Sequence, residues 1–540
     1  MKKNNVYWII VDSVRTYKTG KDDRDRIDII DDFSRCGIEF QKAYTSAPSS
    51  VLSASSMFTG LPATYISRHF SDWEFNPQRV DTLQNSLVGN GYSIYSIYNS
   101  REERRMLRSL IHPIAASFYP KGVSHRNWWT NKECTEIFER SVKAHDSKEG
   151  GFFTIWYDCR RDPSINEEVE RAFKIIKEAN NFEDSIIILS SDHGYPDPES
   201  GLNEDSMRKF SHDMIITEDN VRVPLVIKLP KGPKGLKISS AVGLKDVFPT
   251  INEFLGLKAP NQEFKYMGAS LLSLISRGKE IGRVARIDTR LNMAAERITA
   301  LVSNNIKYVK YWDENIEEIY DLNTDPKELY NQLDGGNRSH PDLVKFRTIL
   351  VEMEEELDSF LLDELKENFQ SHLQKIKGLE RAKKIRIIST TAPQKYINLL
   401  TNVLIKMTGG TIHIVDNVGA LEKPEKAEYS FYVTENTKTG AFDRELFSTM
   451  KEKSEKVIMM DFNGRVFNRF LMKWIWPVVS YVRENSFFYR SEPTLLFYDL
   501  LFIAKSGFGK LFGNQRGLHI DGNKVKRMRD RELKASASSD

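Results

Sequence analysis

"VYWIIVD" (Val6–Asp12) is a run of six apolar residues that stops on a carboxylate. A run this short cannot cross a bilayer, which takes roughly 20 apolar residues. It also lacks the longer apolar region and small-residue cleavage site of a secretory leader. It reads as a buried strand that delivers Asp12 at its carboxyl end. The same kind of run returns at Tyr92–Tyr98, Phe152–Tyr157, Ser185–Ser190 and Val223–Leu229. Between them lie amphipathic stretches such as Glu167–Ala179. That alternation predicts an α/β fold, a mostly parallel sheet sandwiched by helices. Ligands of such sheets collect beyond the carboxyl ends of the strands. Two of those ends carry chemistry, Val11-Asp12 and "SSDHG" (Ser190–Gly194).

The bulk composition limits the alternatives. A chain of 540 residues is too long for one ordinary core, so two or three domains are expected. Hydrophobic content of 40% with 11% aromatics is globular. A net charge of +3 gives no reason to expect a nucleic-acid partner. The three cysteines, Cys36, Cys134 and Cys159, follow neither a disulfide nor a zinc-site spacing, which points to a reduced, cytoplasmic setting with no transmembrane segment.

Along the chain, residues 1–335 form the predicted catalytic α/β domain and 336–382, rich in Glu, Lys and Leu, a helical connector. A smaller α/β domain is expected over 383–520, from the runs "KKIRIIST", "TIHIVDN", "YSFYVTEN" and "KVIMMDFNG", and its ligand is unassigned. Residues 521–540 form a basic tail. The aromatic run Phe470–Arg490 reads first as core of the second domain, with peripheral docking on a membrane surface as the other reading.

The stretch "SAPSSVLSASSMFTG" (Ser46–Gly60) places many small hydroxyls where a strand hands over to a helix. With Asp12, the Asp192-His193-Gly194 strand end and His212 ahead of Pro224, it resembles the sulfatase family of the alkaline phosphatase superfamily. The resemblance extends through "LKDVFPTINEFLG" (Leu244–Gly256), "YMGASLL" (Tyr266–Leu272) and "EEIYDLNTDPKELYNQ" (Glu317–Gln332). It implies that Ser50, counted forward from Pro48 and back from Thr59-Gly60, is the nucleophile. It further implies that Asp12, Ser50, Asp192 and His193 hold one divalent metal ion. Two carboxylates and an imidazole suit manganese or zinc, with calcium and magnesium as further candidates. His212, Asn99 and Arg161 are then candidates for contacts to the transferred group. Asp158 is the candidate for a two-metal version, although Arg161 stands where relatives often carry a histidine.

The residues also depart from that family. After Ser50 come Val51, Leu52, Ser53 and Ala54, without the proline and arginine of the frame that directs formylglycine formation. "SIYSIYNS" follows Gly91-Tyr92 in place of the second sulfatase signature. The expectation is therefore a metal-dependent enzyme acting on a phosphate ester, of phosphodiester, phosphoglycerol or phosphoethanolamine type, through an unmodified Ser50. The substrate would be a small-molecule, glycan-linked or lipid-linked ester. The alternatives are a sulfuric ester hydrolase and a non-catalytic binding protein in surface-glycan or lipid assembly.

Overall fold

In the computed structural model, the residues described are 3–16, 27–68, 81–98, 130–146, 149–158, 164–179, 182–196, 212, 215–258, 267–277, 282–289, 297–312, 315–334, 340–374, 376, 378–389, 394–415, 427–434 and 454–461. The largest sheet among the described residues contains β1 (Val6–Asp12), β2 (Ile38–Tyr44), β3 (Tyr92–Tyr98), β4 (Gly150–Asp158), β5 (Ile186–Ser191), β6 (Arg222–Val223), β7 (Leu225–Lys228) and β8 (Leu236–Gly243). Its order is β3-β4-β1-β5-β7-β2-β6, with β8 paired to β2. β3, β4, β1 and β5 run parallel, and β7 enters antiparallel between β5 and β2.

β1 shows why the sheet is covered on both faces. Val6, Trp8 and Ile10 belong to one core cluster and Tyr7, Ile9 and Val11 to the other, as the two-residue period of a strand requires. The first cluster packs on Leu52, Met57 and Phe58 of the helix Ser50–Thr59 and on Val247 and Ile251 of Val247–Leu255. The second takes Cys134 and Phe138 from the helix Asn131–Ala144 and Val169 and Phe173 from Ile165–Glu178. Trp8 buries its ring completely and still satisfies its indole N–H on Ser190 Oγ at 2.9 Å. Burying a large apolar side chain is worth about 1.5–3 kcal/mol, so this strand is held firmly. The position of Asp12 is held with it.

The sequence pattern misled in one place. Val223–Leu229 reads as a single buried strand of a mostly parallel sheet, yet the structure splits it at Pro224 and runs the second piece antiparallel to β5. Proline has no N–H to give a ladder. Its carbonyl instead receives Ser191 N–H at 3.3 Å, at the end of β5.

A second sheet was not foreseen. β9 (Ala285–Thr289), β10 (Ile298–Ser303), β11 (Ile306–Tyr311) and β12 (Ile316–Asp321) form an antiparallel meander in the order β12-β11-β10-β9. The helix Pro341–Leu373 follows, 33 residues long, and leads to a parallel sheet of β13 (Lys384–Ser389), β14 (Thr411–Val415), β15 (Ala427–Thr434) and β16 (Ser454–Asp461), ordered β14-β13-β15-β16. One core cluster runs on through Leu357 and Phe369 of the long helix into Ile385 and Ile387 of β13. Met1–Pro493 makes one compact unit and Thr494–Asp540 a second, which lies outside the described residues. The aromatic run Phe470–Arg490 and the basic tail also fall outside them. Among the described residues, no helix is long and apolar enough to cross a membrane.

Candidate active site

Three side chains from two adjacent strand ends converge. Asp12 closes β1, and Ser13 turns the chain away with a φ of 63°, in the left-handed region that few non-glycine residues enter. Ser13 Oγ donates to Asp12 Oδ1 at 2.7 Å, and its backbone N–H reaches Asp192 Oδ1 at 3.2 Å. Ser191, the last residue of β5, joins the two strand ends. Its hydroxyl lies 2.6 Å from both the Val11 and His193 carbonyls and accepts Val14 N–H at 3.0 Å. Asp12, Asp192 and His193 are 6%, 0% and 0% exposed, so the site is almost closed to bulk water.

The neighbouring carbonyl sets the tautomer of His193. Nδ1 lies 2.7 Å from Gly194 O, an atom that can only accept, so Nδ1 carries the proton. The Nε2 lone pair then faces Asp12 Oδ1 at 3.6 Å, Asp192 Oδ2 at 3.4 Å and Ser50 Oγ at 3.0 Å. An imidazole anchored through one nitrogen and open at the other is prepared for a metal. Donor atoms of Asp12, Asp192 and His193 all lie within 4.8 Å of one another, and no other such group occurs among the described residues.

Electrostatics supports the same reading. Burial pushes the Asp192 carboxyl up to about 6; His193 opposes the rise and Asp12 adds to it. Asp192 Oδ2 is buried with no hydrogen-bond partner among the described residues. Two close carboxylates with an unsatisfied buried oxygen call for positive charge. A divalent cation fits this donor set.

Ser50 is the first residue of its helix, behind the extended N-cap Ser49. No acidic residue occupies the first turn, so the N–H groups and helix dipole are left to attract an anion. One turn on, Ser53 Oγ donates to the Asp192 carbonyl at 2.7 Å, and Thr45 Oγ1 lies 2.9 Å from Ser53 Oγ. The hydroxyls of Ser46–Gly60 thus divide their work. Ser50 faces the carboxylates, and Ser53 holds the helix to the strand end.

The other family-like stretches brace this helix. Gly60 closes it in the left-handed conformation, with φ of 67°, and its carbonyl accepts Met267 and Gly268 N–H at 3.1 and 2.9 Å. That turn is fixed by Asp246, which accepts Ala269 N–H at 2.9 Å and Arg283 Nη2 at 2.9 Å, and by Thr250 Oγ1, which accepts Leu271 N–H at 2.8 Å.

The remaining sequence candidates are placed unevenly. The His212 ring centroid lies 4.9 Å from that of His193 and 5.7 Å from Tyr195. Asp158 is paired in register with Asp12 but lies outside the metal-competent group, its backbone held by the Asn131 side chain at 2.8 and 3.0 Å. Asn99, Arg161 and Cys159 lie outside the described residues. Sequence reasoning missed Ser13 and Ser191, whose only signal was the run of polar residues beside each strand end.

Gly194 offers a sharp test of this geometry. A Cβ there would sit 2.1 Å from the Asp219 carbonyl oxygen, a backbone atom that cannot step aside cheaply. Gly194→Ala is expected to shift His193 and weaken divalent-ion affinity on the order of 10–100-fold, read by titration calorimetry. Wild-type affinity in the variant would show that the Asp219 loop yields without moving the histidine.

Comparison with known proteins places this geometry. A family model described as N-sulphoglucosamine sulphohydrolase, C-terminal, matches residues 208–357. The chain is 28% identical over 169 residues to a sulfatase of Formosa agariphila, covering 31% of this chain and 30% of that protein. It is 30% identical over 158 residues to arylsulfatase K of Xenopus laevis, 27% of each chain. It is 27% identical over 177 residues to N-acetylglucosamine-6-O-sulfatase of Bacteroides thetaiotaomicron, 31% of this chain and 30% of that one. Each match spans less than a third of the relative's length. A solved structure in complex with its substrate D-glucosamine-2-N,6-O-disulfate superposes with a TM-score of 0.51 at 13% identity, over 66% of this chain and 99% of that one, which bears on the fold alone.

Proposed function

We propose that the chain, which is similar to sulfatases over less than a third of its length, is a metal-assisted hydrolase of sulfate esters that passes the transferred group through Ser50. The observation that carries this reading is Ser50 Oγ, at a helix N-terminus, 3.0 Å from His193 Nε2 and facing two buried carboxylates. The named relatives favour a sulfate ester over the phosphate ester expected from the sequence. A phosphate ester remains the second reading, favoured by one observation: Ser50 lacks the following proline and arginine.

Asp12, Asp192 and His193 would hold the cation, manganese or zinc on the donor set. When bound, it lowers the pKa of the serine hydroxyl and polarises the ester oxygens. The chain's own residues do the rest. Ser50 Oγ, its proton released to solvent, forms a bond to the central sulfur or phosphorus as the bridging ester bond breaks; the leaving alcohol takes its proton from His212, which regains one from the water of the next step. Water then cleaves the Ser50 ester and restores the hydroxyl. The N-terminal N–H groups of the helix Ser50–Thr59 bind the non-bridging oxygens throughout.

The decisive experiment is a panel of aryl sulfates, aryl phosphates and aryl phosphodiesters, assayed with manganese and with zinc. Mass spectrometry of the peptide containing Ser50 accompanies it. Sulfate turnover above phosphate turnover supports the first reading and the reverse order the second. No turnover of any ester by metal-loaded protein overturns both, in favour of the binding-protein alternative.

A further inference from the structure

We propose that Asn220 is a positioning residue that sets His193 and His212 relative to one another, its side-chain amide holding the His212 and Ile215 carbonyls and its backbone carbonyl holding Gly194. The segment that carries it, Thr217–Val221, is a single turn packed beneath the site. Asn220 is completely buried. Its Nδ2 donates to the His212 carbonyl at 2.8 Å and to the Ile215 carbonyl at 2.6 Å. Its own carbonyl accepts Gly194 N–H at 2.8 Å, and the Gly194 carbonyl in turn accepts His193 Nδ1–H at 2.7 Å. One residue therefore holds the His212 backbone through its side chain and, through its own carbonyl, the Gly194 peptide on which the His193 ring is anchored; the two ring centroids are 4.9 Å apart.

The amide's orientation follows from its neighbours. Both Nδ2 hydrogens point at carbonyl oxygens, and a flipped amide would set oxygen against oxygen. This orientation leaves Asn220 Oδ1 buried without a hydrogen-bond partner among the described residues, a cost of about 1–3 kcal/mol. A position kept for stability alone would not retain such a cost, whereas one that must supply two donors to fixed carbonyls has to bear it. His212 belongs to none of the strands or long helices, and its carbonyl accepts both this side chain and Ile215 N–H, the latter at 3.1 Å.

This inference leans on the ester-hydrolase reading only for its activity arm. Asn220→Ala and Asn220→Asp remove the donors, Asn220→Ser restores one, and Thr217→Val in the same turn removes a hydroxyl that has no partner among the described residues. Two readouts are compared in the full chain: manganese or zinc affinity by calorimetry, and kcat and KM on whichever aryl ester the wild type turns over. The expected result is a 10–100-fold loss of metal affinity in the Ala and Asp variants, with kcat falling more than KM rises. Partial recovery is expected in Asn220→Ser and no change in Thr217→Val. Wild-type metal affinity and kcat in Asn220→Ala overturn the proposal while leaving the ester reading intact. A wild type that hydrolyses no ester, but whose metal affinity falls in Asn220→Ala, sinks the ester reading and leaves the positioning role standing. Equal losses in Thr217→Val, or failure of both Asn220→Ala and Asn220→Ser to fold, would assign Asn220 to local packing and reject the proposal.

Discussion

Ser50→Ala is expected to retain divalent-ion binding, unfold at the wild-type temperature or slightly above, and lose at least about 10³-fold in kcat/KM. The size follows from the role. Removal of a nucleophile that acts in concert with its activating group eliminates most of the chemical acceleration, leaving the contribution of binding and oxyanion contacts. The stability forecast follows from the geometry. Ser50 Oγ bonds His193 Nε2 at 3.0 Å, while Ser53, not Ser50, ties the helix to the Asp192 carbonyl. Removing the Ser50 hydroxyl therefore detaches nothing in the scaffold. Metal content by mass spectrometry, thermal unfolding and ester turnover check the three parts separately. Turnover within about 10-fold of wild type would move the nucleophile to another group, and loss of the ion would make Ser50 mainly a ligand.

Lys307→Met is expected to be the most destabilising change away from the site. Lys307 is fully buried, with Nζ 2.7 Å from Glu328 and 3.3 Å from Glu218, and Glu218 also accepts Tyr44 O–H at 3.1 Å. Burial works against the lysine's charge, but the two carboxylates outweigh it and hold its pKa above the ordinary value. The same burial pushes Glu328 up to about 7, with Lys307 opposing and Glu218 adding. One ammonium thus serves two acids. Methionine would leave both acids uncompensated, at about 3–5 kcal/mol for a broken buried pair.

The sign of the pH dependence is fixed by the direction of the shift. Without the ammonium, the Glu328 carboxyl rises further above its unfolded value of about 4.3. Charged carboxylates then oppose folding above the folded pKa, and the penalty fades as pH falls towards the unfolded one. Urea unfolding at pH 8 and pH 5 should show the larger deficit at pH 8. An equal deficit at both would mean that lost packing, not charge, is responsible. Glu218 N–H bonds Glu328 at 2.6 Å, so the variant also loosens the turn bearing Asn220.

Sequence reading recovered the parts of this protein whose signal is local. Val6–Asp12 declares both its burial and its end, and the "SDHG" strand end declares its own, so Asp12, Asp192 and His193 were nameable before any coordinate. Ser50 came from counting within a frame. What stayed hidden depends on contacts distant in the chain. Lys307 sits in "NNIKYVKY", where alternation suggests a solvent-facing lysine, yet it is completely buried because Glu218 and Glu328 close over it. Asn220 looks like an ordinary turn residue in "TEDN". The antiparallel meander was missed because its strands alternate weakly. The break at Pro224 was missed because an apolar run on both sides masked a residue that cannot join a ladder.

Glu354, on the long helix Pro341–Leu373, accepts both Arg286 Nη2 and Arg297 Nη2 at 2.6 Å, while Arg286 also chelates Asp288, whose N–H holds the Ser46 carbonyl at 2.9 Å. The consequence is one of divisibility. Excising the chain ahead of this helix would strip the counter-charge from two guanidiniums beneath the loop that leads to Ser50. A cut that leaves these ion pairs intact therefore falls beyond the helix rather than before it.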